Sequence, residues 1–232
     1  MPAAICLTGG AEFLPASRAL DEALLAHVGD GPVVVAPLAS AVGLDYRAAG
    51  SNARRWFSSL GVPDVRIAPD AREDPGAAVH AIAGAALLVF PGGSPARLLE
   101  ALAATPVARA VAALLERGGV VLGAGAGAMP LGGWTLLPEG HTVEGPPVVE
   151  ALGLVPDVVV LPHFRGDRGW VEVIRRRLGD TPVVLGLPEG AGVLVEGDRF
   201  TAVGASAVTV FAGVDATGRA VAAGQGWRRG DG

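Results

Sequence analysis

Apolar positions along the chain follow two different periods. Residues 3–7, 33–37, 65–68, 86–90, 120–123, 158–161 and 183–187 form short aliphatic runs bounded by glycine or proline. That is the pattern of strands buried on both faces. Between them, residues 16–28, 46–60, 75–83, 96–103, 107–117 and 169–178 place apolar side chains at i, i+3 and i+4, the spacing of amphipathic helices. The alternation predicts an α/β fold of three layers, a mainly parallel, doubly wound, flavodoxin-like sheet with helices on both faces. The rhythm then changes. Residues 192–196, 200–203 and 208–211 follow one another without helices, joined by Gly-Asp and Gly-Ala turns, and predict a small C-terminal antiparallel meander. No repeat or linker divides the chain, so residues 1–223 read as a single domain and the Gly/Arg-rich residues 224–232 as a flexible tail.

In such folds ligands bind beyond the carboxyl ends of the strands. Four loops there carry the residues of interest. They are Thr8-Gly9-Gly10, Pro91-Gly92-Gly93-Ser94, the segment Gly123-Ala124-Gly125-Ala126-Gly127-Ala128, and Leu161-Pro162-His163-Phe164-Arg165. Glycine pairs at strand ends let backbone N–H groups approach a ligand, which suits an oxyanion or carboxylate, and the expected partner is a small-molecule, carboxylate or peptide ligand. The third loop has the glycine spacing of a nucleophile elbow, in which a serine sits on a sharp strand-to-turn corner. Here the central position is Gly125, which has no side chain.

Composition narrows the chemistry. All 18 cations are arginine, so Schiff-base, P-loop-lysine and lysine-base mechanisms are excluded. A net charge of −5 without a basic face argues against nucleic acid as a partner. Charges interrupt every apolar run before a membrane-spanning length is reached, and the N-terminus reads directly as a strand, so the expectation is a cytoplasmic protein with no membrane partner. The one cysteine, Cys6, lies inside the first strand and reads as a buried structural thiol. The four histidines show no close-spaced ligand pair, and nothing points to a metal or another cofactor.

With these motifs in order, the chain resembles the cyanophycinase and dipeptidase E type serine peptidases, which have a class I glutamine amidotransferase-like fold. The resemblance rests on the Gly-Gly turn after the first strand and on Gly92-Gly93-Ser94 with Leu98-Leu99 behind it. It extends through Gly123–Ala128 against the family's Gly-x-Ser-Ala-Gly-Ala and His163-Phe164 with Arg168 against its Asp-x-His-Phe segment. It ends with Gly186-Leu187-Pro188-Glu189-Gly190. It implies that His163 matches the family's catalytic base and that Gly93 and Ala126 match its oxyanion donors, with Gly92 beside them. A carboxylate to orient the histidine is expected between the elbow and His163, where Glu139, Glu144 and Glu150 are available. The family's tendency to dimerise implies a homodimer.

The departures alter the functional reading. Gly125 stands where the family has its serine, Leu161 where it has an Asp before the histidine, and Pro188 where it has an Asp before Glu189. Without a hydroxyl the triad is incomplete. Glycine at the elbow also relieves the strain of a side chain in that backbone geometry, of order 1–3 kcal/mol. The leading expectation is a ligand-binding or regulatory non-peptidase. The alternatives are a hydrolase of peptides, isopeptides or small amides using Ser94 or an activated water, and a dimeric scaffold subunit. Ser94 has a competing role as the N-cap of the helix beginning at Pro95.

Overall fold

The computed structural model describes residues 3–140, 145–213 and 217–231. The first half of the chain alternates as its pattern predicts: β1 (Ala4–Thr8), α1 (Arg18–Leu25), β2 (Val33–Val35), α2 (Leu44–Ser59), β3 (Val65–Ile67), α3 (Pro75–Ala83), β4 (Leu87–Phe90), α4 (Pro95–Ala104), α5 (Val107–Glu116) and β5 (Val120–Ala124). Local chemistry sets the helix starts. The Asp74 side chain accepts the Ala77 N–H ahead of Pro75, and Ser94 does the same for Arg97 ahead of Pro95. Both are N-cap side chains with proline at the first helical position.

After a pair of short 3-10 turns, Gly125–Gly127 and Met129–Leu131, the chain continues through β6 (Gly132–Leu136), β7 (Val148–Glu150), β8 (Val155–Leu161), α6 (Gly169–Leu178) and β9 (Val183–Gly186). It closes with β10 (Ala191–Glu196), β11 (Arg199–Gly204), β12 (Val208–Phe211), β13 (Arg219–Val221) and β14 (Gly226–Arg228). The α/β class is as expected, and the strands divide between two sheets. One has the order β14-β11-β10-β1-β5-β4-β2-β3 and the other β13-β12-β9-β8-β6-β7. The run β1-β5-β4-β2-β3 is parallel, as is β6-β8-β9, with antiparallel strands at the margins. The closing antiparallel strands therefore do not stay together: β10 and β11 extend the first sheet while β12 pairs with β9 in the second. Periodicity reports which faces are buried and carries no information on which strand pairs with which.

Alternation along β1 shows how the layers share side chains. Ile5 and Leu7 join a cluster that also holds Leu98 and Val111 of α4 and α5 and Val158 and Val160 of β8. Ala4 and Cys6 face the opposite way, toward Leu20 of α1 and Phe57 of α2. Along β8, Val159 and Leu161 turn to a third cluster with Val171 and Ile174 of α6. The central cluster is thus continuous between the two sheets.

The tail reading needs correction. Residues 226–228 form an edge strand on β11, because Trp227 is buried and stacks on Phe200 with ring centroids 5.5 Å apart. Burying an indole face in this way fixes a segment whose glycine and arginine content otherwise reads as frayed.

Candidate functional site

The site lies where the first strand, the corner after β5 and the ends of β8 and β9 come together. Gly9 and Gly10 permit this approach. A Cβ on Gly9 would lie 2.2 Å from the Leu187 carbonyl oxygen, and one on Gly10, at φ +106°, would lie 2.5 Å from Cε1 of His163. Only glycine lets the chain pass so close to its neighbours there. The His163 amide donates to the Gly9 carbonyl at 2.9 Å and the Leu187 amide to the Leu161 carbonyl at 2.9 Å, tying the three strand ends together.

Gly125 sits at the corner between β5 and the first 3-10 turn with φ +53°, as the glycine spacing predicts. A Cβ built there would lie 3.6 Å from His163 Nε2 and 3.7 Å from Gly10 Cα, ordinary van der Waals distances. The position therefore faces the imidazole with room for a small side chain. Its neighbours are less permissive: a Cβ on Gly123 would meet the Gly127 carbonyl at 2.6 Å, and one on Gly127 the Phe90 carbonyl at 2.1 Å. The flanking glycines let the corner pack, and the central one has open space in front of it.

His163 is itself at positive φ, +52°, an uncommon conformation for a residue with a side chain. Its Nδ1 lies 2.9 Å from Glu189 Oε1, with the two side chains 54% and 48% exposed. In the neutral imidazole this contact places the proton on Nδ1 and leaves Nε2, on the Gly125 side, as the acceptor. The carboxylate partner is thus Glu189, beyond β9, and not Glu150. Glu150 is exposed on β7 opposite Trp134, and nothing places it against the histidine. Glu144 lies outside the described residues. Glu139 lines the cleft without pairing with His163. The physical reason is topological: β8 and β9 are parallel neighbours, with Leu161 opposite Gly186, so the loops following them emerge side by side.

Around these groups is a cleft of about 440 Å³ lined by Gly92, Gly93, Gly125, Ala126, Glu139 and His163 among others. A second hollow of about 410 Å³ shares Met129, Pro138, Pro162 and His163 with it and is mainly apolar, with Leu136, Phe164 and Trp170 in its walls and Arg165 and Asp167 also lining it. Gly92, Gly93, Ala126 and His163 thus converge with Gly125 on one site. Ser94 does not: it is buried, and its hydroxyl accepts the Arg97 N–H at 3.3 Å as the cap of α4. Among the described residues lining the two hollows there is no serine, threonine or cysteine.

One ionisable residue among those described in the cleft was not anticipated. Glu12, two positions beyond Gly10, turns its carboxylate inward and accepts the Gly92 N–H at 2.8 Å. Gly92 must lack a side chain for this, since a Cβ would lie 2.6 Å from Glu12 Oε1. The Gly-Gly-x-Glu spacing marks a polar residue next to a strand-end turn, but not where it points. Beneath this loop Asp21 is buried, accepting from the Ser17 hydroxyl at 2.9 Å and the Trp56 indole at 2.8 Å. Burial raises its carboxyl to about 6, opposed by those two hydrogen bonds and reinforced by the negative charge of Glu12.

Cys6 is fully buried, and desolvation pushes its thiol far above the ordinary range, so it is no nucleophile. Among the described residues no cluster of three or more histidine, cysteine or acidic side chains is arranged to hold a metal ion. No single helix among them is long and apolar enough to cross a membrane.

The fold recurs in known proteins. A peptidase from an acI-B1 Actinobacterium has a similar structure, with a TM-score of 0.80 at 24% identity over 99% of this chain and 98% of that one. A peptidase E-like protein from Listeria monocytogenes EGD-e is similar with a TM-score of 0.64 at 16% identity, over 89% of this chain and all of that one. At these identities the likenesses establish the fold. The model of peptidase family S51 matches residues 5–203, from β1 through β11 and across every loop of the site. The chain belongs to peptidase family S51, a lineage of hydrolases.

Proposed function

We propose that this member of peptidase family S51 is not a peptidase but a ligand-binding or regulatory protein that uses the cleft over Gly125. One observation carries the reading. The corner that faces His163 Nε2 is a glycine at φ +53°, and no described residue lining the cleft supplies a hydroxyl or thiol in its place. The resemblance aligns this glycine with the family's serine, and covalent acyl transfer needs such a nucleophile. The remaining parts bind rather than cut: backbone amides at a glycine turn, a polar dyad and an adjoining apolar hollow are the elements of a small-molecule site.

A second reading is supported by the His163–Glu189 dyad, which keeps an oriented acceptor nitrogen facing the open space at Gly125. A water there, deprotonated by His163, would attack an amide without a covalent intermediate. Its expected power is limited to the residual ~10³–10⁴-fold over water that binding and an oxyanion site provide when a triad lacks a member.

The two readings separate in a single assay. Purified protein incubated with dipeptides, isopeptides and amino-acid amides is followed by mass spectrometry for turnover and by ligand-observed NMR for binding, with His163→Ala as control. Binding that weakens in the control, without turnover, supports the proposal. Turnover that disappears in the control replaces it with the water mechanism.

A further inference from the structure

Resting on the ligand-binding reading above, we infer that Glu12 sets the charge preference of the end of this cleft at Gly92, making it a seat for an ammonium rather than for a carboxylate. A strand-end Gly-Gly turn ordinarily offers its N–H groups to an anion. Here one of those groups is occupied from within, because the Glu12 carboxylate already accepts the Gly92 N–H, next to the amides of Gly93 and Ala126. The contact is built into the chain. Gly10, Ala11 and Phe13 all have positive φ, and two of the three bear side chains for which that conformation is costly. Phe13 is held edge-on against Phe57 with centroids 6.1 Å apart, anchoring the loop on the side away from the cleft.

The surroundings agree in sign. No arginine is among the described residues lining the cleft, whose ionisable side chains are Glu12, Glu139 and His163. A carboxylate entering at the Gly92 N–H would have to displace Glu12 from its amide and would meet the negative charges of Glu12 and Glu139. An ammonium would instead bind the free lone pairs of Glu12 without breaking the contact with Gly92. The adjoining hollow, with Leu136, Phe164 and Trp170, is suited to the apolar body of the same molecule. The ligand class is therefore a small primary amine bearing an apolar group.

The test uses two probes with the same isobutyl group. L-leucinamide, with its amine protonated at pH 6.5, presents the cation. N-acetyl-L-leucine presents an anion. Binding of each to the whole protein is measured by calorimetry and ligand-observed NMR, for the native chain, for the near-isosteric Glu12→Gln and for Glu139→Gln on the exposed side of the cleft. Circular dichroism and melting confirm that each variant is folded. The inference predicts that native protein binds leucinamide at least tenfold more tightly than N-acetyl-leucine. Glu12→Gln should abolish or reverse that preference, and Glu139→Gln should weaken it less. Equal or tighter binding of the anion by native protein overturns the role of Glu12 while leaving a ligand site in place. An unchanged preference in Glu12→Gln does the same. If neither probe binds, the inference fails, and if the wider set of small molecules tested for the proposed function also fails to bind, that reading fails with it.

Discussion

The buried carboxylate beneath the Glu12 loop makes a quantitative demand on stability. Burial raises Asp21 from 3.8 to about 6, so the folded protein holds this proton more tightly than the unfolded chain. At 1.36 kcal/mol per pH unit, the shift is worth about 3 kcal/mol. Its sign follows from linkage. The stabilisation is complete below the unfolded value of 3.8 and is lost as pH rises through about 6, where the folded protein must ionise a carboxyl in its interior. Asp21→Asn keeps a side chain of the same shape beside Ser17 and Trp56 and removes the titration. The informative quantity is the stability of native protein minus that of Asp21→Asn, which cancels the other acids. It is measured by urea denaturation with tryptophan fluorescence from pH 4 to pH 7.5. The difference should shift in favour of the native chain by about 2 kcal/mol at pH 4 relative to pH 7.5. For a chain of this length that moves the melting gap by about 4–8 °C. Because the negative charge of Glu12 contributes to the shift, Glu12→Gln should bring the midpoint of this dependence down. A difference that stays constant across the range, or one that grows in the opposite direction, refutes the assignment of a raised Asp21.

Three further outcomes are expected. Gly10→Ala would put a Cβ 2.5 Å from His163 Cε1 at a φ of +106°, and should cost about 1–3 kcal/mol and move the imidazole, read by melting and by the His163 ring signals in NMR. Glu189→Gln removes a pair that is half exposed, so stability should change by less than about 1 kcal/mol, whereas the nitrogen shifts of His163 should show loss of the Nδ1–H preference; an unchanged tautomer would mean that Glu189 does not orient the ring. Trp227→Ala should destabilise by about 3–5 kcal/mol, measured by urea denaturation, because it removes a buried indole stacked on Phe200; a negligible effect would return residues 226–228 to the status of a loose tail.

How far the chain could be read in advance follows from which interactions are local. The helices Pro75–Ala83 and Gly169–Leu178 have their expected ends because Asp74 with Pro75 and a left-handed Gly179 are punctuation within the segment itself. The corner at Gly125 was legible for the same reason, since Gly123, Gly125 and Gly127 lie within one turn. His163 was legible as a polar residue just past a strand end, given the resemblance. Its partner was not. The Glu189 contact spans 26 residues and the Glu12–Gly92 contact spans 80, and both depend on strand order. The candidates between the elbow and the histidine are neighbours along the chain, whereas Glu189 is the neighbour across the sheet. Strands β6, β7, β13 and β14 were missed because they are short and their apolar content is low or interrupted by glycine. They exist through pairing with partners already in place.

The proposal that no nucleophile stands in front of the His163 imidazole is tested most directly by treating native protein and Gly125→Ser with a fluorophosphonate probe and mapping adducts by intact-mass and peptide mass spectrometry. With a Cβ 3.6 Å from His163 Nε2, the introduced hydroxyl comes within hydrogen-bond reach of the imidazole. The native chain should remain unmodified. The variant should carry one adduct, on the introduced hydroxyl, and lose it when His163→Ala is added. An adduct on native protein, at Ser94 or within the cleft, would contradict the proposal of a silent site. A folded Gly125→Ser protein that stays unlabelled would show that the corner and His163 do not form the scaffold described.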